Sequence, residues 1–151
     1  MNKKNLVRFL KSNFRNSKGQ IDLSNLHFGD EVVILSNLKA KDVYMNNIKA
    51  VNVLQDNHTA KMISQRGHSS KLIAQDMHHS AQIIQSSHHA GHIIQSYHDA
   101  GTISQVEHKA SEINQDDHIA RVVTQSGHNA DFVYQGYCKA KVVELGENEE
   151  K

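Results

Sequence analysis

The sequence predicts an all-β fold: a single-stranded β-helix, or solenoid, of about 20 residues per coil with an N-terminal α-helical cap. Three observations carry this reading. First, a ten-residue repeat runs from Val33 to Leu145, clearest in Ile93-Ile94-Gln95-Ser96-Tyr97-His98-Asp99-Ala100. Histidine falls at 58, 68, 78, 88, 98, 108, 118 and 128, with Cys138 in the next slot, and glutamine falls at every tenth position from Gln55 to Gln135. Second, apolar residues recur at steps of two and three, which makes no helical stripe, and Ile and Val stand where a helix would favour Leu. Third, Trp and Pro are absent and aromatics make up only 5% of the chain, which suits a core of stacked short side chains.

Residues 1–20 read as the cap. Over residues 2–15, Leu6, Val7, Phe9, Leu10 and Phe14 recur at helical spacing. Lys3, Lys4, Arg8, Lys11, Arg15 and Lys18 take the other side, and Ser17-Lys18-Gly19 is a stop. A terminal repeat needs covering, so the apolar side of this helix has a place to go. The alternative is a basic surface helix that touches nucleic acid or membrane.

Residues 21–145 read as the solenoid. The repeat is loose from Ile21 to Asp30 and continuous from Val33. The slot later held by His is first Phe28, Leu38 and Ile48, and the Gln slot is first Leu35 and Met45 and last Leu145. A position that alternates between apolar residues and His or Gln is an inward one. The inward set is then Val or Ile, Gln, His and Ala in steps of two and three. A two-step keeps both residues on one face of a strand, and a three-step turns a corner. A coil of about 20 residues with four short sides follows, stacked roughly 25–30 Å high at about 4.8 Å per coil. Residues 146–151 are an acidic tail, with Glu147, Glu149 and Glu150 following Glu144.

This five-residue period nested in ten resembles that of the pentapeptide-repeat proteins. The resemblance implies a right-handed quadrilateral β-helix and suggests an acidic, DNA-mimicking surface. It is closest over Leu38-Lys39-Ala40-Lys41-Asp42-Val43. Elsewhere the order departs from that family, because the large residue comes first, as in His98 then Ala100. The outer residues, among them Arg66, Lys71, Asp76, Lys109, Glu112 and Arg121, form no single-sign stripe.

The ladders invite chemistry. In such a coil His58, His78, His98 and His118 stack on one side below Cys138, and His68, His88, His108 and His128 stack on the other. Gln75, Gln85, Gln95 and Gln105, with His78, His88, His98 and His108, are read as structural ladders whose members satisfy one another. Stacked imidazoles could instead share Zn²⁺ or Ni²⁺, but a tetrahedral site wants four converging ligands and a ladder offers a row. His79, His89 and His92 lie off the register, and with His78 and His88 form a local patch that could hold metal weakly. No triad spacing, recurrent carboxylate pair or phosphate loop is present, and Cys138 sits in a core slot, so an enzyme is not expected. No cofactor and no defined metal site are expected.

A net charge of +1 does not point to nucleic acid, and a single cysteine allows no intrachain disulfide. No apolar run approaches the roughly 20 residues of a membrane span or the length of a signal peptide, which predicts the cytoplasm. The expected function is non-catalytic: a rigid scaffold or protein-interaction rod, one version being a bacterial or phage accessory protein that blocks a host factor. Its unpaired last coil, around Phe132, Tyr134, Tyr137 and Val142, is the expected contact, through which a homodimer would form. The alternative is a metal-binding protein built on the stacked histidines.

Overall fold

A chain whose inward residues step by two and then three must turn twice as often as it repeats, and the computed structural model shows how it does so. Residues 6–8, 16–147 and 149–150 are described, with side chains over 16–147. The strands are β1 (Leu6–Arg8), β2 (Gln20–Asp22), β3 (Val32–Ser36), β4 (Asp42–Tyr44), β5 (Asn52–Asp56), β6 (Thr59–Arg66), β7 (Ser69–Asp76) and β8 (His79–Ser86). They continue as β9 (His89–Ser96), β10 (Asp99–Val106), β11 (Lys109–Asp116), β12 (His118–Ser126), β13 (Asn129–Gln135), β14 (Cys138–Leu145) and β15 (Glu149–Glu150).

Odd-numbered strands form one parallel sheet of eight and even-numbered strands form a parallel sheet of seven. From β3 onward each residue pairs with the one a full coil later, as Val53 with Ile73 and Gln55 with Gln75. The first coil is wider, since Gln20 pairs with Asp42 and Ile21 with Val43. The molecule is thus a parallel β-solenoid with about 20 residues per coil, as the repeat predicts.

The two kinds of corner differ. One is a tight turn at the residue before each His slot, where Asn37, Asn47, Asn57, Gly67, Met77, Ser87, Tyr97, Glu107, Asp117 and Gly127 have φ between 50° and 67°. Asn and Gly tolerate this left-handed conformation; the others occupy it because the stack imposes it. The second corner lies inside the strands. In the β6–β8 ladder, Ala60 pairs with Ser80 and Met62 with Gln82, and the residue between drops out. Its amide keeps a bond, Lys61 N–H to the Lys41 carbonyl at 2.7 Å. The three-step is therefore a bend within a continuous strand. Two bent sheets replace the four separate short sides that the spacing suggested.

The predicted N-terminal helix is corrected where it can be compared. Leu6–Arg8 is a strand, with Leu6 opposite Val32 and Arg8 opposite Ile34. The rest of residues 2–15 lies outside the described residues, among which no helix occurs. The physical reason is the edge of the eight-stranded sheet. A helix satisfies its own backbone and would leave the β3 N–H and C=O groups bare, whereas a strand pairs them.

The inward positions are filled as the repeat predicts. Leu35, Leu38, Met45, Ile48 and the Ile column from Ile63 to Ile113 are buried, together with the His and Gln ladders. The ends are unequal. Ile21 and Leu23, in the first coil, are 1% and 3% exposed, while Val143 and Leu145, in equivalent core slots of the last coil, are 42% and 57% exposed. The N-terminal end is closed and the C-terminal end is not.

The tight corner generates a stability test. Met77 is half exposed and sits at φ 52°, a conformation that costs a non-glycine residue about 1–2 kcal/mol. Met77→Asn and Met77→Gly should each raise the urea midpoint, with the unfolding free energy up by as much as about 1 kcal/mol after the extra chain entropy of glycine is counted. An unchanged or lowered midpoint would show that the corner carries no strain.

Candidate functional site

A buried primary amide without partners costs about 2–7 kcal/mol, so a column of glutamines in a core must satisfy itself. Parallel, in-register strands put identical side chains one strand spacing apart, and the amides bond head to tail along the axis. Gln75 Nε2 donates to Gln55 Oε1 at 2.8 Å, Gln95 to Gln75 at 2.7 Å and Gln115 to Gln95 at 2.7 Å. On the other sheet Gln85 donates to Gln65 at 2.9 Å, Gln105 to Gln85 at 2.9 Å and Gln125 to Gln105 at 2.8 Å.

Several histidines take up the remaining lone pairs. Each histidine slot follows a tight corner, and from there His88, His98, His108 and His128 reach the glutamine thirteen residues earlier. His88 Nε2 meets Gln75 Oε1 at 3.1 Å, His98 meets Gln85 at 3.0 Å, His108 meets Gln95 at 3.0 Å and His128 meets Gln115 at 2.9 Å. An amide oxygen only accepts, so these rings carry their proton on Nε2. The same oxygens of Gln75, Gln85, Gln95 and Gln115 also accept the next glutamine of the ladder. In one of the two stacks Nδ1 then accepts from the backbone one coil earlier: His68 N–H to His88 at 3.3 Å, His88 N–H to His108 at 3.4 Å and His108 N–H to His128 at 3.3 Å, whereas His98 Nδ1 has no partner. In the same way Leu38 N–H reaches His58 and Ile48 N–H reaches His68, both at 3.2 Å.

Successive rings stack with centroids 4.7–5.0 Å apart in the two predicted columns. The network is incomplete in places. His58 Nε2 has no partner, because Met45 holds the slot that glutamine fills for the later histidines, and Gln125 Oε1 has none because Leu145 follows it in the column. Gln55 Nε2, His68 Nε2, Nδ1 of His78 and His98, and both ring nitrogens of His118 also lack a partner. At the first rung of its ladder Gln65 presents Nε2 to His78 Nε2 at 3.0 Å, so this ring accepts there and carries its proton on Nδ1.

Burial is the first cause of the titration behaviour. It lowers His58 and His68 to about 3 and His118 and His128 to about 4. His78, His88, His98 and His108 lie well below the ordinary range, through burial first and then repulsion from stacked neighbours. All eight rings are therefore neutral at pH 7. In His88 and His108 both nitrogens are committed, one as donor and one as acceptor, which leaves no lone pair for a metal.

The off-register histidines face solvent on different sheets. His79 on β8 reaches Asp99 on β10 at 3.0 Å, and His92 on β9 reaches Glu112 on β11 at 3.6 Å. These pairs are exposed and do not converge with buried His78 and His88; among the described residues no three His, Cys, Asp or Glu side chains are placed to hold a metal ion. Cys138 is half-buried in its core slot, and burial pushes its thiol up, away from a reactive thiolate. Phe132, Tyr134, Tyr137 and Val142 are all exposed at the last coil. Phe132 and Tyr134 flank the core position Val133 on the outer face of β13, and Val142 faces out from β14. The residues missed in the sequence are Val143 and Leu145, core slots left open. The signal was present, since their columns continue Val123 and Gln125 with no repeat above them.

The class defined by this geometry is a parallel β-solenoid with buried glutamine and histidine ladders joined by side-chain hydrogen bonds. No family model, curated protein or solved structure matches the chain. No helix among the described residues is long and apolar enough to cross a membrane.

Two predictions follow from the ladders. With folded pKa values lowered, the unfolded chain takes up protons first as pH falls through 6.5, so stability is full above that value and is lost below it. Each histidine contributes about 1.4 kcal/mol per pH unit, and the eight buried rings together contribute on the order of 10 kcal/mol per unit, against a domain stability of about 5–15 kcal/mol. Circular dichroism should show cooperative unfolding between about pH 6 and 5; a melting temperature equal at pH 7.5 and 5 would contradict neutral buried rings. Gln95→Leu should cost about 2–6 kcal/mol, because the His108 and Gln115 donors lose their acceptor. Gln135→Leu, at the end of the ladder where the bond to Gln115 is longer at 3.3 Å and only part-buried, should cost less than Gln95→Leu. Equal losses in denaturant titrations would show that packing rather than the network sets the cost.

Proposed function

We propose that this chain is a non-catalytic, rigid protein-interaction rod whose contact surface is the open C-terminal coil. The observation that carries the reading is the inequality of the ends: equivalent core slots are covered at Ile21 and Leu23 and uncovered at Val143 and Leu145. An apolar core slot at that exposure, beside an unpaired strand edge, is a surface that gains from a partner. The interior supports a mechanical role, because its glutamine ladders bond along the axis and tie the coils together. We place the protein in the cytoplasm, where neutral pH keeps the rings uncharged. The pentapeptide-repeat resemblance fits the twenty-residue coil, and a role in blocking a bacterial host factor is one form this interaction would take.

The test is affinity capture of the tagged chain from a bacterial lysate to which untagged chain is added, with bound metal measured on the same sample. A near-stoichiometric protein partner, lost in Leu145→Glu, is the expected result. A partner retained by Leu145→Glu would move the contact elsewhere, and metal near one ion per chain with no protein partner would favour the metal-binding reading.

A further inference from the structure

The seven-stranded sheet ends at β14, which has β12 on one side and no strand on the other among the described residues. Pairing with His118, Ala120, Val123 and Gln125 assigns Cys138, Ala140, Val143 and Leu145 to the core face. Those four positions are separated by two, three and two residues, so β14 has the same inward and outward order read from either end. Its bend, the three-step between Ala140 and Val143, lies at its centre.

We infer that a second copy of this chain pairs its own β14 antiparallel against this one, across a twofold axis between Lys141 and Val142. This inference rests on the proposed role of the open end and names its occupant. In that register Cys138 lies opposite Leu145 of the second copy and Ala140 opposite its Val143, so every core position meets a core position. Lys139, exposed, lies opposite Glu144, exposed, and the axis makes this ion pair twice. The two bends coincide. No other register aligns all four core positions, and a slip of one residue sets core against solvent face. Val142, exposed, falls opposite Lys141 on the outer face.

The contact is isologous and closes on itself, as a dimer does. Stacking C-terminal end on N-terminal end would give an open fibre, and the closed first coil disfavours it: Ile21 and Leu23 have no exposed slot to offer. Both copies keep their ladders and continue the sheet, with seven strands on each side of the axis.

The test is sedimentation equilibrium of the full chain, with a charge exchange. The wild type should be a dimer at tens of micromolar. K139E and E144K should each weaken association at least about tenfold by setting like charges opposite one another, and K139E/E144K should restore it. In parallel, L145C treated with oxidised glutathione should form a covalent dimer through Cys138 of the second copy, and adding C138A should abolish it. A dimer indifferent to both single charge changes, a crosslink that survives C138A, or an assembly larger than two would overturn the register. A monomer at these concentrations would overturn the dimer itself. If that monomer still captures a distinct protein in a Leu145-dependent way, the interaction role stands and only the twofold pairing fails.

Discussion

Each interior amide oxygen of Gln75, Gln85, Gln95 and Gln115 accepts two hydrogen bonds, one from the glutamine a coil later and one from a histidine across the core. The remaining architecture depends on that shared acceptor. It fixes the proton on Nε2 of the facing imidazole, and in the stack from His88 to His128 this frees Nδ1 to take a backbone N–H. One rung therefore ties side chain to side chain along the axis, side chain to side chain across it, and side chain to main chain. A slip of one residue would strand all three at once, which is why so polar a core can hold a single register.

The same constraint explains why the ends depart from the repeat. A ladder needs a neighbour on both sides, and the first and last rungs have one. Leu35 and Met45 before the glutamines, and Leu145 after them, occupy the slot where an amide would lack half its partners. Leu38 and Ile48 do the same for the histidines. Apolar residues there lose nothing when the column stops, although Met45 leaves His58 Nε2 without an acceptor. The depression of histidine pKa values eases toward His118 and His128, near the uncovered end, for a related reason: less protein surrounds those rings.

Much of this was legible in the sequence because the period is written in chemistry. The alternation of His with Leu38 and Ile48 identified inward slots, and the strand spacing then implied the stacks. Three features were less legible. The tight corner uses residues as unlike as Asn57, Met77 and Tyr97, so the conformation comes from the stack and not from local preference. The bend inside each strand has the same three-step as a true corner, and spacing alone does not separate them. The helical pattern of Leu6, Phe9 and Leu10 competes with a bare sheet edge, and over Leu6–Arg8 the edge prevails. At the open end, aromatic residues drew notice first, while the less conspicuous Val143 and Leu145 carry the exposed core.

The central claim is that the buried imidazoles are neutral, fixed in one tautomer, and part of the fold. Long-range proton–nitrogen NMR of the ring nitrogens reads this directly. For His88, His108 and His128 the account predicts a protonated Nε2 and an unprotonated Nδ1 at pH 7, unmoved on acidification until the folded signals disappear together. Ring signals that shift continuously with a midpoint near 6.5 while the fold persists would contradict it.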